Sequence, residues 1–154
     1  MVKAVRGSAG TYGHALALAA HDAAGRLHEW EDAAPLIPSQ IYLPLPAIAE
    51  ARPPVIVYLH GGGNGAARLM NAQSLPGLLQ SNATFRKRFP FIGLFPCSTC
   101  STYERGWVPA NLVRVSALLS RLIKEHRGDP HRIILCGQGM GGAGVWRYAA
   151  GAPL

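Results

Sequence analysis

The stretch Arg132-Ile133-Ile134-Leu135-Cys136-Gly137-Gln138-Gly139-Met140-Gly141-Gly142 decides the fold. Ile133 to Cys136 is apolar at successive positions, as expected of a strand buried on both faces. Gly137 to Gly142 then holds four glycines in six residues, and a helix begins by Val145-Trp146-Arg147-Tyr148. A buried strand that breaks into a glycine-rich turn and runs directly into a helix is a unit of parallel α/β architecture.

The sequence upstream repeats that alternation. Asp129-Pro130 forms a turn, and before it Leu112, Val115, Leu118, Leu119, Leu122 and Ile123 recur at three- and four-residue steps. That stripe predicts an amphipathic helix from Pro109 to His126, with Pro109 in its first turn and Gly128 near its end. Phe91-Ile92-Gly93-Leu94-Phe95 reads as a buried strand ended by Pro96. Val55-Ile56-Val57-Tyr58-Leu59 is the clearest strand, bounded by Pro54 and by His60-Gly61-Gly62-Gly63. A helix is expected from about Ala66 to Leu79, bent or divided at Pro76. Residues 31–54 are proline-rich, and within them Gln40-Ile41-Tyr42-Leu43 is expected as an edge strand. The order predicts an α/β domain over residues 40–154, with a mostly parallel sheet and helices on both faces. Residues 1–39 form an N-terminal extension or a hairpin turning at Asp22-Ala23-Ala24-Gly25.

Composition excludes several classes. Apolar residues are 49% and charged residues 15% of the 154, which argues for a packed core and against disorder. No apolar run is long enough to span a membrane. The net charge of +7 comes from scattered basic residues. The densest cluster, Arg86-Lys87-Arg88, lacks interleaved aromatics and reads as a solvated loop rather than a nucleic-acid surface. Three cysteines suit a reducing compartment, so a cytoplasmic location is favoured. The acid-free stretch before Asp22 is also compatible with an organelle transit peptide. Cys97 and Cys100 have CxxC spacing but no second ligand pair, so neither a metal nor a redox role is assigned. Cys136, inside a strand, is expected to be a small apolar filler. No cofactor is implied.

Asp129-Pro-His-Arg132-Ile133, followed by Gly-Gln-Gly-Met-Gly-Gly and by Trp146 and Ala149-Ala150, resembles the α/β-hydrolase superfamily. Within it, the resemblance is to the predicted-peptidase and polyhydroxybutyrate-depolymerase-like serine esterases. In that pattern a strand ends in G-x-S-x-G, a sharp turn that lifts the nucleophile above the sheet. The resemblance assigns Gly137, Gln138, Gly141 and Gly142 to this elbow, and Gly139 to the nucleophile position. It makes His60-Gly61-Gly62-Gly63 the oxyanion loop, with Met140 N–H and Gly62 N–H (or that of Gly61) as donors to the carbonyl oxygen of an ester or amide. It implies an N-terminal part of the hydrolase fold, ending after the elbow helix.

Two departures weigh against catalysis. Gly139 has no side chain with which to form an acyl-enzyme. Only 15 residues follow it, none of them Asp, Glu or His; all six histidines (His14, His21, His28, His60, His126, His131) lie upstream. The expectation is therefore a hydrolase relative that lacks triad chemistry, or a non-catalytic binding module, with an unpaired sheet edge that invites self-association. A rival of another class is open: Gly137-x-Gly139-x-x-Gly142 formally matches the dinucleotide fingerprint.

Overall fold

The structure is a computed structural model that describes residues 24–30, 37–62, 73–98 and 106–151. The elements are β1 (Leu27–Glu29), β2 (Ser39–Tyr42), β3 (Val55–Leu59), α1 (Leu75–Ser81), α2 (Ala83–Arg86), β4 (Ile92–Pro96), α3 (Pro109–His126), β5 (Ile133–Gly137) and α4 (Met140–Gly151). They form an α/β arrangement around one mixed sheet in the order β1-β2-β4-β3-β5. β4, β3 and β5 are parallel neighbours, β2 runs against β4, and β1 runs against β2.

Alternation along the strands gives the sheet two apolar faces. Val55, Val57 and Leu59 of β3 join Ile92 and Leu94 of β4 on one face, under Leu112, Val115, Leu118, Leu119 and Leu122 of α3 and Met140 and Tyr148 of α4. Tyr58, Tyr42 and Phe95 lie on the other with Leu79 of α1 and Phe89, and with Ile56, Leu75 and Phe85 at its margin. Helices therefore cover both faces, which is why β3 and β4 have no polar side chains to present to water.

The stretch Gln40–Leu43 departs from its expected place at an edge. β2 lies between β1 and β4, pairing Ile41 with His28 on one side and with Leu94 on the other. Its prolines, Pro38 and Pro44, fall just outside the strand, so no ladder donor is lost. Gly25 takes a left-handed φ of 73° and its N–H donates to Leu43 O at 2.7 Å, which turns the chain into β1. The rest of the expected hairpin, including Asp22 and Ala23, lies outside the described residues, as do the stretch that suggested a transit peptide and the first part of the helix expected from Ala66.

Three helix ends add detail to the sequence reading. Pro76 sits in the first turn of α1, behind Ser74, whose hydroxyl accepts from Gly77 N–H at 3.1 Å, so among the described residues it begins a helix. There its missing N–H costs nothing. α3 spans Pro109–His126 as expected, but the residue that closes it in the left-handed region is Arg127, φ 58°, one position before Gly128. Arg86 is more than a solvated charge, since its guanidinium donates to Leu79 O and Gln80 O, both at 2.7 Å. It thereby satisfies carbonyls at the end of α1 that the helix leaves unpaired.

Arg132 fastens the amino end of the sheet. Its guanidinium reaches Asp129 Oδ2 (2.7 Å), both carboxylate oxygens of Glu50 (2.7 and 3.2 Å) and Arg52 O (2.7 Å). Its backbone carbonyl accepts from Val55 N–H and its N–H donates to Asp129 O. The segment leading into β5 is thus held to the segment leading into β3. The Arg132 hydrogen bonds hold the carboxyls of Glu50 and Asp129 below their ordinary range. The stability they contribute is present above the unfolded carboxylate pKa values, about 4, and is lost as pH falls through the lower folded values. Arg132→Ala is expected to lower the urea midpoint at pH 7 and to flatten the loss of stability below about pH 4, as read from denaturation curves across pH.

Candidate functional site

β3 and β5 lie side by side and parallel, with Leu59 opposite Gly137, so the chain leaves both strands at the same end of the sheet. From β3 the chain goes to β4 on one flank, and from β4 it crosses to β5 on the other. Loops at such a reversal diverge and leave a crevice beyond the carboxyl ends of the strands. The two glycine-rich segments singled out in the sequence meet there: a Cβ on Gly61 would stand 3.2 Å from Gln138 O.

The turn from β5 into α4 takes two residues. Gln138 N–H still donates to Leu59 O at 3.3 Å, continuing the ladder. Gly139 then adopts a φ of 55°, in the left-handed region that a Cβ disfavours. α4 starts at Met140, earlier than the Val145-Trp146 segment that first reads as helical. Ala143 N–H donates to Gly139 O at 3.1 Å and Gly141 N–H to Gln138 O at 2.9 Å.

Two glycines let this turn lie against β3. A Cβ on Gly141 would overlap Leu59 O and come within 2.8 Å of His60 O, and one on Gly137 would stand 2.9 Å from Leu59 O. These obstacles are backbone and cannot rotate away. Gly142 differs: its Cβ would meet Gly137 O at an ordinary 3.6 Å. Helix and strand therefore approach through positions 137 and 141, four residues apart. In the dinucleotide fingerprint the third glycine, at position 142 here, would make that approach.

Of the donors that the family resemblance names, Met140 is the first residue of α4, where backbone N–H groups fall outside the helix's own ladder, and its side chain is fully buried. Gly61 and Gly62 are half-buried at the end of β3. Gly139 and Gln138 are exposed. Gly63 lies outside the described residues.

The sequence reading missed a polar knot around His60. The ring is fully buried; Ser98 N–H donates to its Nε2 at 3.0 Å, which puts the ring proton on Nδ1, 2.8 Å from Gly61 O. Trp107 meets the ring edge-on, with centroids 5.1 Å apart, and its Nε1–H donates to His60 O at 3.0 Å. Gly106 O accepts from Ser98 Oγ (2.9 Å) and Asn111 Nδ2 (2.7 Å). Burial pushes the imidazole below the usual histidine range. Ser98 carries no local sequence signal, because its role depends on a partner 38 residues away.

The described cysteines border this geometry in the chain but make none of its hydrogen bonds through their thiols, that of Cys136 lying 3.6 Å from Val57 O. Cys97 follows β4 and Cys136 lies in β5; both are half-buried, and burial raises both thiols. Cys100 is outside the described residues. Among the described residues, no group of three or more His, Cys, Asp or Glu could hold a metal ion, and no helix is long and apolar enough to cross a membrane.

Comparison of the chain with protein-family models and with curated proteins finds no match in either.

The glycine pair gives a sharp mutational contrast. Gly141→Ala is expected to cost more than about 3 kcal/mol, the upper range for overpacking against immobile atoms. Gly142→Ala is expected to be neutral or slightly stabilising, because alanine favours the helix. Urea unfolding of the two variants measures both; equal effects would contradict the close approach at 141.

Proposed function

We propose that residues 40–154 belong to an α/β-hydrolase-type domain related to the serine esterases and peptidases. In this reading, the β5–α4 turn is a nucleophile elbow whose nucleophile position is Gly139, and the β3 loop is its oxyanion loop. One observation carries the proposal: the glycines forced by close approach are 137 and 141, flanking a left-handed residue at 139. That is the G-x-S-x-G spacing with the serine removed. The loop after the third strand, the other element of that motif, lies against the same turn. The 137/141 spacing favours this reading over dinucleotide binding.

The chemistry follows from what such a turn retains. Backbone N–H groups fixed in advance stabilise negative charge on a carbonyl oxygen without reorganising, by a few kcal/mol each. Gly62 and Met140 are the residues whose N–H groups serve this role. Glycine at 139 removes the attacking oxygen and relieves the strain that a side chain would bear there. Nor does His60 offer a base, since both of its ring nitrogens are hydrogen-bonded. His126 and His131 lie at the other end of the sheet, at the close of α3 and just before β5. The proposed activity is recognition of an ester, amide or carboxylate oxygen without acyl transfer.

Titration of the chain with butyrate is expected to shift the Gly62 and Met140 amide resonances together; shifts confined to other residues would count against the site. Neither the native chain nor Gly139→Ser is expected to hydrolyse p-nitrophenyl acetate above the uncatalysed rate. Among the described residues no histidine is placed to take the proton of a restored oxygen, so turnover by the serine variant would contradict the account.

A further inference from the structure

We propose that His60 is the positioning residue of the β3 loop: its Nδ1–H fixes the Gly61–Gly62 peptide, and adding a proton at Nε2 breaks the bond from Ser98 that holds the ring in place, so that the peptide shifts with the ring. The inference rests on the proposed function only in giving the Gly62 N–H a ligand to meet.

Gly61 C=O and Gly62 N–H belong to one planar trans peptide, so they point in opposite directions. The bond from His60 Nδ1 to Gly61 O, 2.8 Å, therefore sets the direction of the Gly62 N–H. Glycine on both sides of that peptide leaves it little conformational restraint of its own, and the imidazole supplies the restraint. The ring can donate at Nδ1 while neutral only because Nε2 is an acceptor, a state selected by the Ser98 N–H at 3.0 Å. Ser98 is itself fully buried and is held through its hydroxyl to Gly106 O. The tautomer is thus chosen by the segment that follows β4, and the β3 loop reads it.

Protonation converts Nε2 from acceptor to donor, facing another donor. Two donors cannot share a hydrogen bond, so the Ser98 contact is lost. Among the described residues, the charged side chains tied to this knot from the packed helices are Arg147 of α4, 3.4 Å from Trp107 O, and Arg114 of α3, 3.4 Å from Asn111 Oδ1. Both are cations, so neither stabilises an imidazolium. From β4 the ring meets the Ser98 N–H, and from the segment before α3 the Trp107 indole, neither of which is charged. Burial likewise disfavours the imidazolium. Because the folded ring resists the proton and the unfolded ring does not, stability is full above the ordinary histidine value of about 6.5 and is lost as pH falls through the lower folded value.

Nitrogen-15 spectroscopy of the full chain tests this without any ligand. The expected result is a His60 ring protonated at Nδ1 and bare at Nε2 at pH 7. On acidification, the Ser98 and Gly62 amide resonances should move together with the His60 titration. A ring protonated at Nε2, or a Gly62 resonance indifferent to that titration, overturns the proposal. Two variants separate positioning from bulk packing. His60→Asn retains a donor at the Nδ1 position, and is expected to keep the Gly62 resonance and butyrate affinity near native. His60→Gln carries its amide to the Nε2 position, where Oε1 accepts from Ser98 and the Nδ1 donor to Gly61 O is lost, and is expected to weaken butyrate about five- to tenfold, the worth of one hydrogen bond. Equal losses in both variants would mean that His60 merely fills space. If the native chain binds no butyrate, the proposed function fails while the spectroscopic result still decides the role of His60.

Discussion

The first turn of α4 lies against the carboxyl end of β3, and most of the site depends on that contact. A chain leaving β5 must reverse into a helix within two residues while its backbone rests on Leu59 O and His60 O. Only glycine can stand at 137 and 141 under that constraint, and a left-handed residue is needed at 139. The same contact presses the β3 loop against Gln138 O. Two backbone segments that are far apart in sequence thereby meet over the sheet with no bulky side chain between them. Side-chain packing then secures what the backbone contact begins, through Met140 and Tyr148 in the core they share with α3.

β3 is tied to its surroundings at both ends. At the amino end the Arg132 fork ties the approach to β5 to Glu50 and Arg52, ahead of β3. At the carboxyl end the His60 knot joins the exits of β3 and β4 to Trp107, just before α3. The first is exposed and ionic, so salt and acid weaken it. The second is buried and uncharged, and depends on each donor finding its acceptor. Asp129 and Arg132, which in the sequence look like part of a functional signature, lie at the end of the sheet away from the glycine-rich turn. Their role in the structure is to hold strand register.

Much of the fold was legible because it rests on local pattern. The β-branched run of β3, the helical stripe of α3 and the apolar run of β5 name their own conformations, and the structure places all three within a residue of the expected limits; β5, however, is not buried on both faces as read, since it stands last in the strand order with Ile134 exposed. The interior position of β2 was not legible, because flanking prolines signal an edge, while the presence of β1 beyond it is a long-range fact. α3 ends at His126 as the sequence indicates, but the left-handed angle after it falls on Arg127 and not on the neighbouring glycine that usually carries it. At the site, the glycines at 137, 139 and 141 could be read from spacing. The partnership of His60 with Ser98 could not, since it joins two loops through a ring whose tautomer only the fold reveals. On the proposed reading, the backbone half of a hydrolase site is what the sequence displays most clearly, because glycine is the one residue type whose absence of a side chain is itself informative.

The most direct test of the account is to replace Gly139 by D-alanine through protein semisynthesis and to compare its unfolding with that of Gly139→Ala. A D-residue favours positive φ and restricts the unfolded chain. The D-alanine protein is therefore expected to be more stable than the native chain by about 0.4–1 kcal/mol. The L-alanine variant is expected to be less stable by about 1–2 kcal/mol. If the L-residue is tolerated and the D-residue destabilises, the turn does not pass through the left-handed region. The close approach of α4 to β3, and the site proposed upon it, would then be wrong.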